Sequence, residues 1–252
     1  MKRTPKKIPD TSYQAFKNAI LFLLIATMIN CGKDDLKPNL ETGTVSDIDN
    51  HVYQTVKIGN QWWMAENLIV TKYRNGDPII NVGSKLDSAI WNNTKSGEYF
   101  MGSLGLLYNW YAIGDPRGIA PEGWHIPSDD EWKELEIYLG MNKEEAAKVN
   151  WRGTTEGNKL KIQGEGSTIW TDPTNKYEVW GSNESGFSAI ACGCVMFNGV
   201  EGYPGANYTG FWWTATEHGN NVWYRYLDYN KANVFRFYGP KTYGFSIRCV
   251  KD

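Results

Sequence analysis

From Gly210 to the end of the chain, aromatic side chains arrive in short runs that are broken by the loop Thr216–Asn221 and the turn Asn230-Lys231. Runs this short, rich in Trp, Tyr and Phe and bounded by turn formers, cannot make useful helices and predict strands. The spacing gives strands over 222–229 and 233–238 around Asn230-Lys231, then a last strand over 245–250. On that last strand Phe245, Ile247 and Cys249 alternate with Ser246 and Arg248, the pattern of a half-buried strand. With 12 Trp, 15 Tyr and 26 Gly in 252 residues, the core must be built largely from aromatic rings between tight turns.

Upstream, Val52, Gln54, Val56 and Ile58 alternate with Tyr53, Thr55 and Lys57, and Gly59-Asn60 follows. This predicts a hairpin whose return strand is 61–64. From Lys72 to Gly97 hydrophobicity is low and Asn75-Gly76-Asp77-Pro78 marks a turn, so loops and at most a short strand are expected. A helix should start at Ser128, which forms a capping box with Glu131 behind Pro127, while Asp129 and Asp130 complement the helix dipole. Trp132, Leu135 and Leu139 supply its apolar stripe, and Gly140 ends it. A second short helix can begin at Asn142, with Ala146, Ala147 and Val149 inward. One or two short helices and many short antiparallel strands define an α+β single domain.

The N-terminus is a different kind of sequence. Lys2, Arg3, Lys6, Lys7 and Lys17 precede the apolar run 19–29, which Asn30 and Cys31 close. Basic, apolar, cysteine is the layout of a secretory signal, and the run is shorter than the roughly 20 residues of a spanning helix. Residues 1–30 therefore read as a signal peptide, 31–50 as a polar tether and 51–252 as the domain. Cys31 resembles the lipidation site of a bacterial lipoprotein, and Gly32-Lys33-Asp34-Asp35 is similar to a signal for surface export. The expected address is the outer membrane or cell surface, with the lipid as the membrane link. Without residues 1–30 the chain holds 21 basic and 27 acidic residues, and no basic run offers a footprint for nucleic acid.

Three cysteines remain, so at most one internal bridge can form. Cys192 and Cys194 are poorly placed to join each other, which leaves Cys249 to pair with one or the other. His51, His125 and His218 are scattered, and no metal site or cofactor is expected.

Five motifs, VKIGNQWWMAENL (56–68), LYNWY (107–111), GWHIPSDDEW (123–132), NESGF (183–187) and GFSIRCV (244–250), together resemble the Fibrobacter succinogenes major paralogous domain. The resemblance spans about 45–252. That family is similar to the formylglycine-generating-enzyme, or sulfatase-modifying-factor, domain, and the resemblance implies a C-type-lectin-like fold. Relatives carry a cysteine where this chain has Ala120, so a partner that the family would give Cys249 is missing here.

Three function classes follow. A formylglycine-type oxidoreductase needs reactive thiols, and Cys249 falls on the apolar face of a strand. No nucleophile elbow, HExxH or P-loop is present, so no catalytic residue is assigned. A recognition or adhesion module fits better, because sugar rings stack on aromatic faces while amides and carboxylates bond their hydroxyls. The residues for such a site are Trp213, Glu217, His218 and Asn221 around the loop, with Tyr224 and Tyr226 of one strand beside Arg236 and Tyr238 of the next. Binding is expected without calcium, although Glu217, Asn220 and Asn221 are potential ligands. The third class is a structural or adhesion subunit that binds another surface protein.

Overall fold

Gly59 adopts φ +62°, and this left-handed turn folds β2 (Val52–Ile58) back onto β3 (Gln61–Met64), with Val56 opposite Trp63. The expected hairpin is present. A strand on its outer side was not expected: β1 (Thr42–Ser46) pairs with β2, so part of the stretch read as tether is sheet. The structure, a computed structural model, describes residues 39–83, 88–163, 170–171, 181–196 and 206–252. Residues 1–30, read from the sequence as a signal peptide, and Cys31 lie outside them. Among the described residues no helix is long and apolar enough to cross a membrane.

The remaining elements in chain order are β4 (Ile80–Asn81), α1 (Ser88–Asn93), β5 (Glu98–Gly102), β6 (Gly105–Asn109) and α2 (Trp110–Ile113). Then come β7 (Trp124–His125), α3 (Asp129–Tyr138), α4 (Lys143–Ala147), β8 (Asn150–Arg152) and α5 (Glu156–Leu160). The C-terminal part holds β9 (Thr209–His218), β10 (Asn221–Asp228), β11 (Val234–Pro240), β12 (Gly244–Phe245) and β13 (Val250–Lys251). They form three sheets, ordered β1-β2-β3-β13-β7, β8-β11-β10-β9 and β12-β6-β5-β4, all antiparallel except for β4 beside β5. The fold is α+β, with five short helices among the described residues where one or two were expected.

Helix α3 starts where its capping box dictates. Ser128 accepts a bond from the Glu131 amide at 3.2 Å, and Glu131 returns to the Ser128 amide at 2.7 Å. Trp132, Leu135 and Leu139 are buried as the stripe required. In α4 only Ala146 points inward. The helix stops at Ala147, and the extended backbone of Lys148 turns Val149 out to solvent.

The last strand departs from expectation in an instructive way. Residues 245–250 are all buried; Phe245 ends β12, which joins β6, Val250 begins β13, which lies between β3 and β7, and 246–249 run between the two outside any strand. The polar members of the alternation, Ser246 and Arg248, face the interior because they find buried partners there. The segment therefore stitches two sheets together rather than edging one.

At the centre, Trp63 stands 5.0 Å from Trp132 and 5.8 Å from Phe187, and Phe187 stands 6.2 Å from Trp212, in edge-on and tilted contacts. Each such pair adds about 0.5–1.5 kcal/mol beyond its buried area. Three of these rings come from three different sequence motifs, and the fourth, Trp212, comes from β9. The motifs thus meet as a nucleus.

Candidate functional site

The hairpin register decides where the predicted ligand residues go. Trp223 opposes Tyr238 and Arg225 opposes Arg236, whereas Tyr224 opposes Phe237 and Tyr226 opposes Phe235. Side chains alternate across a strand, so Tyr224 and Tyr226 lie on one face of the sheet and Arg236 and Tyr238 on the other. The surface expected to combine all four does not form.

Trp213 and Tyr224 are core, and half-buried Tyr226 packs against it. Trp213 is fully buried, with its indole donating to the Tyr108 carbonyl at 2.8 Å and its ring 4.4 Å from Phe245. Trp212 is equally buried on the other side of β9, so both rings of the pair are inside. Tyr224 is buried against Phe211 and Phe245, and burial raises its phenol well above the ordinary range. Tyr226 stacks on Phe211 at 4.4 Å and gives its hydroxyl to Asp228; burial, then that carboxylate, raise its pKa.

Arg236 is the clearest correction. It is buried and holds Asp129 through Nε at 2.8 Å and Nη2 at 2.7 Å. Its Nη1 caps the end of α4 through the carbonyls of Ala147 and Lys148. Asp129 also accepts from Arg225 at 2.8 Å and Lys133 at 2.7 Å, and Glu136 joins Arg225 to Arg152 at 2.7 Å each. Burial opposes ionisation of Asp129, but these cations hold its carboxyl well below the usual carboxylate range. This is a structural ion network under the sheet.

What remains exposed is a cluster at the free end of β9, β10 and β11. Gly219, at φ +61°, closes the turn that presents His218 and Asn221 opposite one another. The exposed His218 ring lies 4.8 Å from Trp223 and 4.3 Å from Tyr238, both half-buried, and those two rings meet edge-on at 5.2 Å. Arg236 supports Trp223 from beneath, its guanidinium 3.6 Å from the ring centroid. Exposed Glu217 pairs with Lys241 at 2.8 Å, and Lys241 sits 4.3 Å over Trp110. Lys241 escaped the sequence reading because its partner lies across a turn, 24 residues away. Of the eight predicted residues, His218, Asn221 and Tyr238 share this face, with Trp223 at its centre, whereas Glu217, opposite Val222, turns to the other face of the sheet with Lys241 and Trp110.

A second aromatic group covers the opposite face of the sheet. Half-buried Trp151 contacts Tyr226 at 5.1 Å and Phe235 at 5.2 Å, with Phe237 beyond at 5.9 Å. Nothing in the sequence pattern brought Trp151 forward, since it depends on β8 pairing with β11 across more than 80 residues.

No disulfide joins the thiols of Cys192, Cys194 and Cys249, and all three are buried. Burial pushes Cys192 up to about 11 and Cys194 up to about 12, and raises Cys249 further still. Among the described residues no group of three or more His, Cys, Asp or Glu side chains is placed to hold a metal ion.

The sequence motifs converge on one buried amide. Asn67 accepts from the Trp212 indole at 3.0 Å and from Arg248 Nε at 2.7 Å, and donates to Ser246 Oγ and Cys192 Sγ at 3.2 Å each. Both its acceptor positions and both its donors are used. Arg248 in turn bonds the carbonyls of Met64, Phe187 and Ser188, and its burial lowers it to about 9. Residues from 56–68, 183–187 and 244–250 are thereby tied at one point.

Such an arrangement defines a class: a β-rich α+β domain whose signature residues are its internal lock. The chain belongs to the Fibrobacter succinogenes major domain family, which matches residues 56–251. Comparison with curated proteins gave no match, and comparison with solved structures gave none.

Proposed function

We propose that this chain is a lectin-like, non-catalytic recognition or adhesion module, lipid-anchored through Cys31 at a bacterial outer membrane or cell surface, and that its ligand is a glycan. The observation that carries the reading is the aromatic tip. Half-buried Trp223 and Tyr238 meet the exposed His218 ring, and Asn221 on the same face supplies a hydrogen-bonding group beside them. An apolar face ringed by polar side chains suits the amphipathic faces of a sugar. The buried, high-pKa thiols support a non-catalytic reading over an oxidoreductase one.

A protein partner is favoured by one separate feature, the half-buried face of Trp151, Tyr226, Phe235 and Phe237, where aromatic rings outnumber hydrogen-bonding groups. A glycan array probed with the purified protein, with and without calcium, separates the two. Trp223→Ala and Tyr238→Ala should abolish selective binding without unfolding the domain. Binding that survives both substitutions would remove the tip from consideration, and a blank array would transfer the weight to a surface-protein partner.

A further inference from the structure

A groove of about 500 Å3, separate from the aromatic tip, is walled by Ile113, Ile119, Ala120, Ile126 and Ala215. Arg74 lies on its rim, packed over Gly118, where a Cβ would stand 3.6 Å from Arg74 Cδ. Backbone carbonyls clamp one side of the guanidinium. Nε donates to Ala120 at 2.6 Å, and Nη2 donates to Pro121 at 3.1 Å and Trp124 at 2.6 Å. Carbonyl dipoles orient the cation but do not neutralise it. Among the described residues no carboxylate pairs with Arg74, and its Nη1 has no hydrogen-bond partner.

One acid, Glu131, lines the same groove, but it is committed elsewhere. Glu131 and Asp252 hold His125 between them, at 2.8 Å on Nε2 and 2.6 Å on Nδ1. The other Glu131 oxygen is spent on the Ser128 amide and hydroxyl, at 2.7 and 2.8 Å. One cation is left over, already fixed in place, so a ligand that meets it does not have to order a loose side chain. Beside that cation the wall offers the methyl and methylene groups of three isoleucines and two alanines, while the imidazole of His125 and the Ser128 hydroxyl, which share the lining, are tied to Glu131.

We propose that this groove binds a small carboxylate with an aliphatic body, its carboxylate on Nη1 of Arg74 and its hydrocarbon against the isoleucines. The assignment is independent of the glycan reading of the tip. Isovalerate is the probe, its neutral isostere isovaleramide is the control, and glucuronate is the acidic-sugar comparison. Titration of the 15N-labelled full chain should move the amide resonances of Gly118, Ala120 and Ala215 with isovalerate. The acid should bind about tenfold or more tightly than the amide, as a charge-assisted bond requires. Arg74→Gln should remove that preference. Because Arg74 also ties down three carbonyls, Ala215→Phe gives a second variant that fills the groove from an exposed position and leaves the clamp intact. It should abolish the shifts while keeping the urea midpoint. Equal affinity for acid and amide, or shifts that persist in Ala215→Phe, would overturn the proposal. Glucuronate binding more tightly than isovalerate would overturn the aliphatic part and give the groove to an acidic sugar.

Discussion

Replacing Asp129 by Asn tests whether the ion network beneath the sheet is structural. Asp129 and Glu136 together face three buried arginines, Arg152, Arg225 and Arg236. Asn keeps the size of the side chain but turns an amide donor toward guanidinium donors, and leaves three buried cations against one acid. Breaking a buried ion pair from one side costs about 3–5 kcal/mol, or roughly 6 to 20 °C in Tm for a domain of this size. Urea unfolding followed by tryptophan fluorescence reads it directly, since Trp132 lies over Arg225 at 5.7 Å. In a double-mutant cycle, Arg236→Met should cost less in the Asp129→Asn background than alone, because its partner is already gone. A loss below about 1 kcal/mol for Asp129→Asn, or strictly additive costs, would refute the reasoning. The network also has a pH signature. Asp129 is held below its unfolded pKa, so its contribution is complete above about pH 4 and disappears as pH falls through the folded value.

Other outcomes follow from single sites. Burial opposes the charged form of His125, yet Asp252 and Glu131 raise its pKa, so the stability it adds is complete below about pH 6.5 and is lost as pH rises through the higher folded value. His125→Gln should flatten that dependence in urea midpoints taken between pH 6 and 8, and an unchanged slope would exclude the bridge as its source. Native protein should react with a thiol reagent at Cys192, Cys194 and Cys249 only after denaturant is added; rapid labelling of any of them without denaturant would contradict their burial. Arg236→Lys should lower the urea midpoint while leaving the affinity of the remaining folded protein for any tip ligand nearly unchanged, and an isolated loss of affinity would return Arg236 to the binding surface.

What the sequence disclosed was local chemistry. The capping box of α3 and the Gly59 turn of the first hairpin each depend on a few adjacent residues, and each is found where the pattern put it. The five motifs also carried the family. The site was harder to read because it depends on pairing. Alternation in β10 and β11 was visible, but which face of one strand meets which face of the other depends on how many residues the turn after Asp228 consumes. That single unknown moved Arg236 from ligand surface to core, where its partner Asp129 waits 107 residues away. A similar distance hid Trp151, and the interior partners of Ser246 and Arg248 hid the burial of both faces of the last segment.

Strand β1 sets one consequence for a chain attached at Cys31. Ten residues, and so eleven Cα–Cα steps, lie between that cysteine and Thr42, where the sheet begins. Stretched to its limit, such a leash measures about 35–40 Å. If Cys31 carries the proposed lipid, that length bounds how far the domain stands from the bilayer, and the proposed ligand would then have to come to the membrane, either as a component of the same cell's envelope or as a surface pressed against it.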